Sequence, residues 1–248
     1  MLFRSAERVL QNYPDRLAIA AINGPTTTVL SGESAALEEV LQALQQRKVI
    51  CRMLPVNYAF HSPQMEPHRV DLVRALEGVK ARATSISMIS TVTGEIVQEG
   101  ILDANYWGRN VREPVRFADA ITALLTEGVT TFLEISPHPV LTAATAQCAA
   151  GRNRQVTLVS SLRRGREERL TMLTALGELY RVGHNIDWGS LYPSSGTVVK
   201  LPSYPWQREK YWITEPTTHS VTKLPPEPVP SAAFRSEERR VGKECRSR

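Results

Sequence analysis

The chain is short of the patterns that mark most specialised protein classes. Its three cysteines, Cys51, Cys148 and Cys245, lie far apart and form no CxxC pair. That excludes a disulfide framework and a structural zinc site, and it points to a reduced, cytoplasmic setting. No run of about 18 apolar residues occurs, which excludes a membrane-spanning helix. The N-terminal MLFRSAERVLQNYP breaks its apolar start at Arg4 and lacks a signal-peptide core. There is no GxGxxG, no P-loop, no HExxH and no GxSxG. The five histidines, at positions 61, 68, 138, 184 and 219, show no metal-ligand spacing, so no metal is expected. No internal repeat is present.

What remains is an ordinary globular composition, 42% hydrophobic and 22% charged over 248 residues, enough for one or two domains with a real core. The net charge of +5 is unevenly placed. Arg235–Arg248 holds six Lys and Arg against three Asp and Glu, and Ile213–Phe234 one Lys against two Glu. The body is therefore close to neutral, and no basic face with stacking aromatics suggests nucleic acid.

Along the chain, Ser5–Tyr13 reads as a helix stopped by Pro14. Leu17–Ile22 and Thr26–Ser31 read as strands joined at the turn Asn23-Gly24-Pro25. Leu37, Val40, Leu41 and Leu44 form one face of a helix beginning at Ser34, and Val49–Val56 reads as a further strand. This α-β-β-α-β order matches most of a split βαββαβ unit. The second block alternates differently. Helices are expected over Pro63–Leu76, Asp103–Arg112 (capped by Asp103 and stopped before Pro114), from Phe117 through Ile121, Leu124 and Leu125 to an end at Gly128, and over Val140–Ala150 and Glu167–Val182. Strands are expected at Ile86–Ser90, Thr130–Ile135 and Val156–Leu162, with a turn at Thr93-Gly94. Alternating strand and helix implies an α/β layer with a mostly parallel sheet. Leu201–Ile213, LPSYPWQREKYWI, reads as an extended strap packed on a surface, and Thr214–Phe234, with five prolines, as a disordered linker.

One segment carries chemistry: Val56–Pro67, VNYAFHSPQMEP. His61 ends an apolar stretch, and Ser62-Pro63 then opens a helix, so an imidazole is presented where α/β folds place ligands. Histidine suits proton transfer near neutral pH. On residue chemistry alone, a buried histidine satisfied by one hydrogen bond is the favoured reading.

The motifs resolve this. AAINGP (Ala20–Pro25), LSG (Leu30–Gly32), YAFHSPQMEP (Tyr58–Pro67), STVTG (Ser90–Gly94), YWGRNVREPVRF (Tyr106–Phe117), FLEISPHPVL (Phe132–Leu141), SSLRRG (Ser160–Gly165) and LPSYPWQREKYW (Leu201–Trp212) occur in one order. Together they resemble the C-terminal portion of the acyltransferase domain of modular type I polyketide synthases. The resemblance implies an α/β fold: a partial hydrolase-like core with an inserted ferredoxin-like subdomain, followed by an extended linker. It divides the chain into residues 1–57 (partial ferredoxin-like subdomain), 58–160 (C-terminal part of the core), 161–213 (post-acyltransferase linker) and 214–248 (Pro-rich linker and tail).

In that family a serine in GHSxG attacks an acyl-CoA thioester, a histidine takes its proton, and the acyl group passes to the phosphopantetheine thiol of an acyl carrier protein. The resemblance places His61 as that base and Asn110 as the residue whose backbone carbonyl orients it, with capping of the helix end the other role open to Asn110. Asn23 is expected to tolerate an unusual backbone angle or to line the acyl pocket. Malonyl-selective members carry HAFH and methylmalonyl-selective members YASH. Phe60 would fill the room an α-methyl branch needs, whereas Tyr58 is the methylmalonyl-type residue, so the balance leans to malonyl. No bound cofactor is expected. The implied partners are malonyl-CoA or a related acyl-CoA, the carrier protein and a neighbouring ketosynthase domain in cis.

The serine elbow, oxyanion segment and carboxylate-gripping arginine precede residue 1 in the family's order. The expectation is thus a partial domain, inactive on its own, and the alternative is a non-catalytic packing or docking segment. Arg163, Arg164, Arg166 and Arg169 read as a solvated helix start or a partner patch. The ending RSEERRVGKECRSR resembles translated adaptor or vector sequence, with a genuine basic tail the alternative.

Overall fold

The computed structural model describes residues 2–194 and 196–212. The proposed Pro-rich linker and basic tail of residues 214–248 lie outside them. The chain divides into two units, Met1–Pro193 and Ser194–Arg248. In the first, helix α1 (Leu2–Leu10) leads into strand β1 (Leu17–Gly24), β2 (Thr27–Gly32) and helix α2 (Ser34–Gln46). After an irregular stretch come α3 (Glu66–Ala75), α4 (Ala104–Arg112), α5 (Phe117–Thr126), β3 (Thr131–Glu134), α6 (Thr142–Ala150), β4 (Thr157–Ser160), α7 (Glu168–Arg181) and the single turn α8 (Trp188–Leu191). The mixed α/β character expected from the sequence is present.

The hairpin packs on its own small core. Leu17, Ala36 and Val40 are buried, with Val9, Leu10, Tyr13, Leu30, Leu37 and Leu44 against them. That is the α2 stripe predicted from spacing. The turn, however, falls at Pro25-Thr26, because β1 continues through Asn23 and Gly24 across a register shift. Asn23 is therefore a strand residue at a bulge and not a turn residue, and its φ is not positive.

Two expected strands are absent among the described residues. Val49–Val56 forms no strand, and Ile50, Met53, Leu54 and Val56 stay exposed. A β-branched run becomes a strand only where a neighbour accepts its backbone hydrogen bonds, and none of the described strands lies beside it. Of the α-β-β-α-β order read from the sequence, α1, the β1–β2 hairpin and α2 are formed. Ile86–Ser90 likewise reduces to one bridge, Ile89 to Ile96. Its last residue serves the following turn instead: the buried Ser90 hydroxyl accepts from Val92 N at 3.0 Å and bonds Tyr106 Oη at 2.9 Å.

The second core joins α5 and α6 around Ile121, Leu125, Cys148 and Ala149, with Phe117, Leu124, Phe132 and Val156 packed on it. Each such aliphatic side chain contributes about 1.5–3 kcal/mol by leaving water. Strands β3 and β4 pair in parallel, Thr131 to Thr157 through Glu134 to Ser160, with α6 as the crossover. In the second unit residues 197–212 carry no helix or strand. Within this unit Tyr204 and Trp206 pack on each other, ring centroids 4.8 Å apart. No helix of the described residues is long and apolar enough to cross a membrane.

The SPHPVL loop is organised by Glu134. Its carboxylate accepts from Val140 N (2.7 Å), Leu141 N (3.1 Å), Thr142 N (2.9 Å) and Thr142 Oγ1 (2.7 Å), so it satisfies the first orphan donors of α6. Burial works against the charge, but these N–H and hydroxyl donors outweigh it and hold the carboxyl below its ordinary value of 4.5. Since the folded pKa is the lower one, the stabilisation is present above the unfolded value and is lost as pH falls through the folded one. Glu134→Gln, which turns one acceptor into a donor facing these N–H groups, is expected to destabilise the fold by about 1 kcal/mol at neutral pH. In thermal melts the gap from the parent chain should narrow as pH falls below 4.5. A gap independent of pH would contradict this role.

Candidate active site

His61 is built into the C-terminal end of α4. The helix starts where Asp103 Oδ1 accepts from Tyr106 N at 2.8 Å, and it ends at Arg112 because Pro114 forbids helical geometry at the residue before it. Glu113 is accordingly extended, φ −84° and ψ 157°. That conformation turns its carbonyl out of the helix, towards His61. The imidazole Nδ1 lies 2.7 Å from Glu113 O, and the His61 backbone N–H donates to Val111 O at 3.0 Å. Both ends of His61 therefore satisfy carbonyls that a helix terminus leaves unpaired.

This geometry sets the tautomer. A carbonyl only accepts, so Nδ1 carries the proton and Nε2 keeps a lone pair. An imidazole held this way takes a proton at Nε2 and becomes a cation beside the negative end of the α4 dipole. The Glu113 carboxylate does not compete for Nδ1, because Arg109 holds both its oxygens, Nε to Oε1 at 2.8 Å and Nη2 to Oε2 at 3.0 Å.

Neighbouring contacts hold Glu113 in place. On its N-terminal side its N–H donates to Arg109 O at 2.7 Å. On the other side Val115 bridges to Ala21 of β1, donating to Ala20 O at 2.8 Å and accepting from Ile22 N at 2.9 Å. Arg116 N then donates to Thr91 O at 2.7 Å. The AAINGP, STVTG and REPVRF motifs thus meet at one point.

Of the residues singled out by sequence, three come together: Tyr58 and Phe60 pack with ring centroids 4.5 Å apart, and Phe60 lies 6.4 Å from the His61 ring. Both aromatics are exposed, 61% and 45%. Asn110 does not supply the orienting carbonyl. It sits inside α4, where carbonyls run along the helix axis, and Glu113 fills the role from just beyond the end. The cap is likewise Glu113, not Asn110. The signal for this was Pro114, which fixes the one residue whose carbonyl must leave the helix. Asn23 belongs to another part of the site's support: its carbonyl faces Cys148 Sγ of α6 at 3.7 Å.

The close approach of α3 to α4 depends on Gly108, buried in the contact. A Cβ there would lie 2.5 Å from Val73 Cγ2 and 3.2 Å from Arg69 Cγ. Gly108→Ala is expected to destabilise the chain by about 1–3 kcal/mol through overpacking, despite alanine's better helix propensity. Adding Val73→Ala should recover part of the loss in denaturant unfolding. A Gly108→Ala chain as stable as the parent would contradict the contact.

The same residues carry similarity to known proteins. A family model described as an acyl transferase domain matches residues 2–186. The polyketide synthase GfsA of Streptomyces halstedii is 40% identical over 208 residues, 83% of this chain and 3% of that protein. The spectinabilin polyketide synthase system protein NorA' of Streptomyces orinoci is 43% identical over 204 residues, 82% of this chain and 6% of that protein. Among solved structures, the acyltransferase domain from module 8 of the salinomycin polyketide synthase is 38% identical with a TM-score of 0.73, covering 75% of this chain and 44% of that domain. This chain therefore spans a few per cent of the synthases it matches and under half of the solved domain. On the family match, these identities and the shared fold, the chain belongs to the acyl transferase domain family, among the acyltransferase domains of modular type I polyketide synthases.

Proposed function

We propose that this segment supplies the general base for acyl transfer from an acyl-CoA to the phosphopantetheine thiol of an acyl carrier protein. The observation that carries the reading is the short Nδ1 contact of His61 to Glu113 O, 2.7 Å, which leaves Nε2 as a proton acceptor. In the first half-reaction Nε2 takes the proton of a serine hydroxyl as that oxygen attacks the thioester carbonyl. Coenzyme A leaves as its thiol, receiving the proton from the imidazolium. In the second, the same nitrogen takes the proton of the carrier thiol, whose sulfur attacks the serine ester, and returns it to the serine oxygen. The charge on the ring in each half-reaction forms at the carbonyl end of α4, where it is favoured. General-base assistance of this kind contributes about 10²–10⁴-fold.

The serine is not among these 248 residues, since no GxSxG occurs. The β3–α6–β4 unit belongs, on this reading, to a hydrolase-like core, and the β1–β2 hairpin with α2 to a ferredoxin-like insert. A ketosynthase domain would neighbour the linker. On this reading Phe60, tilted against Tyr58 beside the imidazole, would fill the space next to the acyl α-carbon and favour malonyl over methylmalonyl units.

Two outcomes test this. Radiolabelled malonyl-CoA is expected to leave no covalent label on the 248-residue polypeptide, because His61 has no nucleophile to deprotonate. Label that forms and then passes to a carrier protein would contradict the assignment. In a domain joining this segment to a GHSxG-bearing portion, Phe60→Ser should raise the methylmalonyl to malonyl ratio of kcat/KM about 10-fold or more, the worth of one methyl group. An unchanged ratio would remove Phe60 from selectivity.

A further inference from the structure

We infer that Ser62 is the positioning residue that holds His61 in its working conformation, an inference that rests on the reading of His61 as the base. His61 has φ +63°, in the left-handed region that a side-chain-bearing residue rarely adopts. Left to itself this residue would leave that region, so its surroundings must over-determine it. The two contacts of His61 to α4, N–H to Val111 O and Nδ1–H to Glu113 O, both depend on this backbone angle. Something within the loop itself must hold it.

Ser62 is placed to do so. It is fully buried, 0% exposed, although a serine next to a loop histidine would ordinarily face water. Its hydroxyl donates to Ala59 O at 2.6 Å and accepts from Gln64 N at 3.3 Å. One oxygen thus ties the chain before His61 to the 3-10 turn Pro63–Met65 after it. The segment from Ala59 to Ser62 closes on itself with His61 at its third position. The same bonds exclude Ser62 as a nucleophile, since its proton is committed to Ala59 O and its oxygen is out of reach of substrate. Pro63 cannot donate a backbone bond to replace it, so no other donor of the chain between His61 and Gln64 closes this loop.

The test uses the 248-residue chain with ¹⁵N-labelled histidine, at a pH where imidazole is neutral, with His61→Ala to identify the signal. The parent chain is expected to show His61 as the Nδ1–H tautomer and a protected His61 amide. In Ser62→Ala the ring should shift towards the Nε2–H form of free imidazole. Its amide should exchange about tenfold faster or more, the loss expected when one internal hydrogen bond goes, while the Val92 amide on Ser90 Oγ is unchanged. Ser62→Cys, which keeps the volume but donates weakly, should fall between the two and serves if the alanine variant does not fold. If these variants lower stability yet keep the parent tautomer and His61 protection, Ser62 is merely structural and the inference fails. A His61 that shows the predicted tautomer and Ser62 dependence, yet is dispensable for acyl transfer, would overturn the functional reading and leave the role of Ser62 standing.

Discussion

The arrangement depends on one hydrogen bond, from His61 Nδ1–H to the carbonyl of Glu113. It decides which imidazole nitrogen is free, and it needs that carbonyl aimed out of a helix that would otherwise keep it along the axis. Pro114 provides the aim by forcing Glu113 into extended geometry. The bridge of Val115 to Ala21 keeps the following strand-like residues from drifting. Gly108 lets α3, which follows the histidine loop, lie close against α4, just beyond whose end the carbonyl lies. Three separate stretches of sequence are thereby committed to one 2.7 Å contact.

The electrostatics follow from the same choice of partner. A carboxylate facing Nδ1 would stabilise the imidazolium more strongly but would sit half in solvent, where screening weakens it. Here the nearby carboxylate of Glu113 is neutralised by Arg109, and the ring faces the partial negative charge of a helix end. A neutral carbonyl stabilises a charge on the ring modestly while holding the ring direction firmly, which would suit the proposed base. The exposed pair of Tyr58 and Phe60 lies on the solvent side of the same loop. Tyr58, Phe60 and His61 thus lie within four consecutive residues, on a loop tied to the end of α4 through His61 and closed on itself by the Ser62 hydroxyl.

Much of this was legible in the sequence. Asp103 and Pro114 bracket α4 within a residue, the leucine and valine spacing of α2 predicts the core it fills, and YAFHSP singles out the histidine. What was not legible depends on partners rather than on residues. Val49–Val56 and Ile86–Ser90 have strand composition, but pairing decides strands, and no described strand lies beside them. The resemblance points to Asn110 for the orienting carbonyl, whereas the carbonyl against Nδ1 is that of Glu113. A backbone carbonyl has no side-chain signature, and only the conformational effect of Pro114 marks Glu113. Asn23 illustrates the converse: it reads as a turn residue, yet strand pairing carries it through a bulge and moves the turn to Pro25-Thr26. The buried role of Ser62 was hidden for the same reason, since nothing in HSP says which way the hydroxyl points.

The central claim is that His61 moves the proton in acyl transfer. The direct measurement is single-turnover acylation across pH, in an acyltransferase domain that joins this segment to a GHSxG-bearing portion, with His61 and with His61→Ala. The account predicts that the parent rate rises with pH as one base loses its proton and then levels. It predicts that His61→Ala lowers that rate about 10²-fold or more and abolishes the rise. An alanine variant that acylates at the parent rate with the same pH dependence would contradict it.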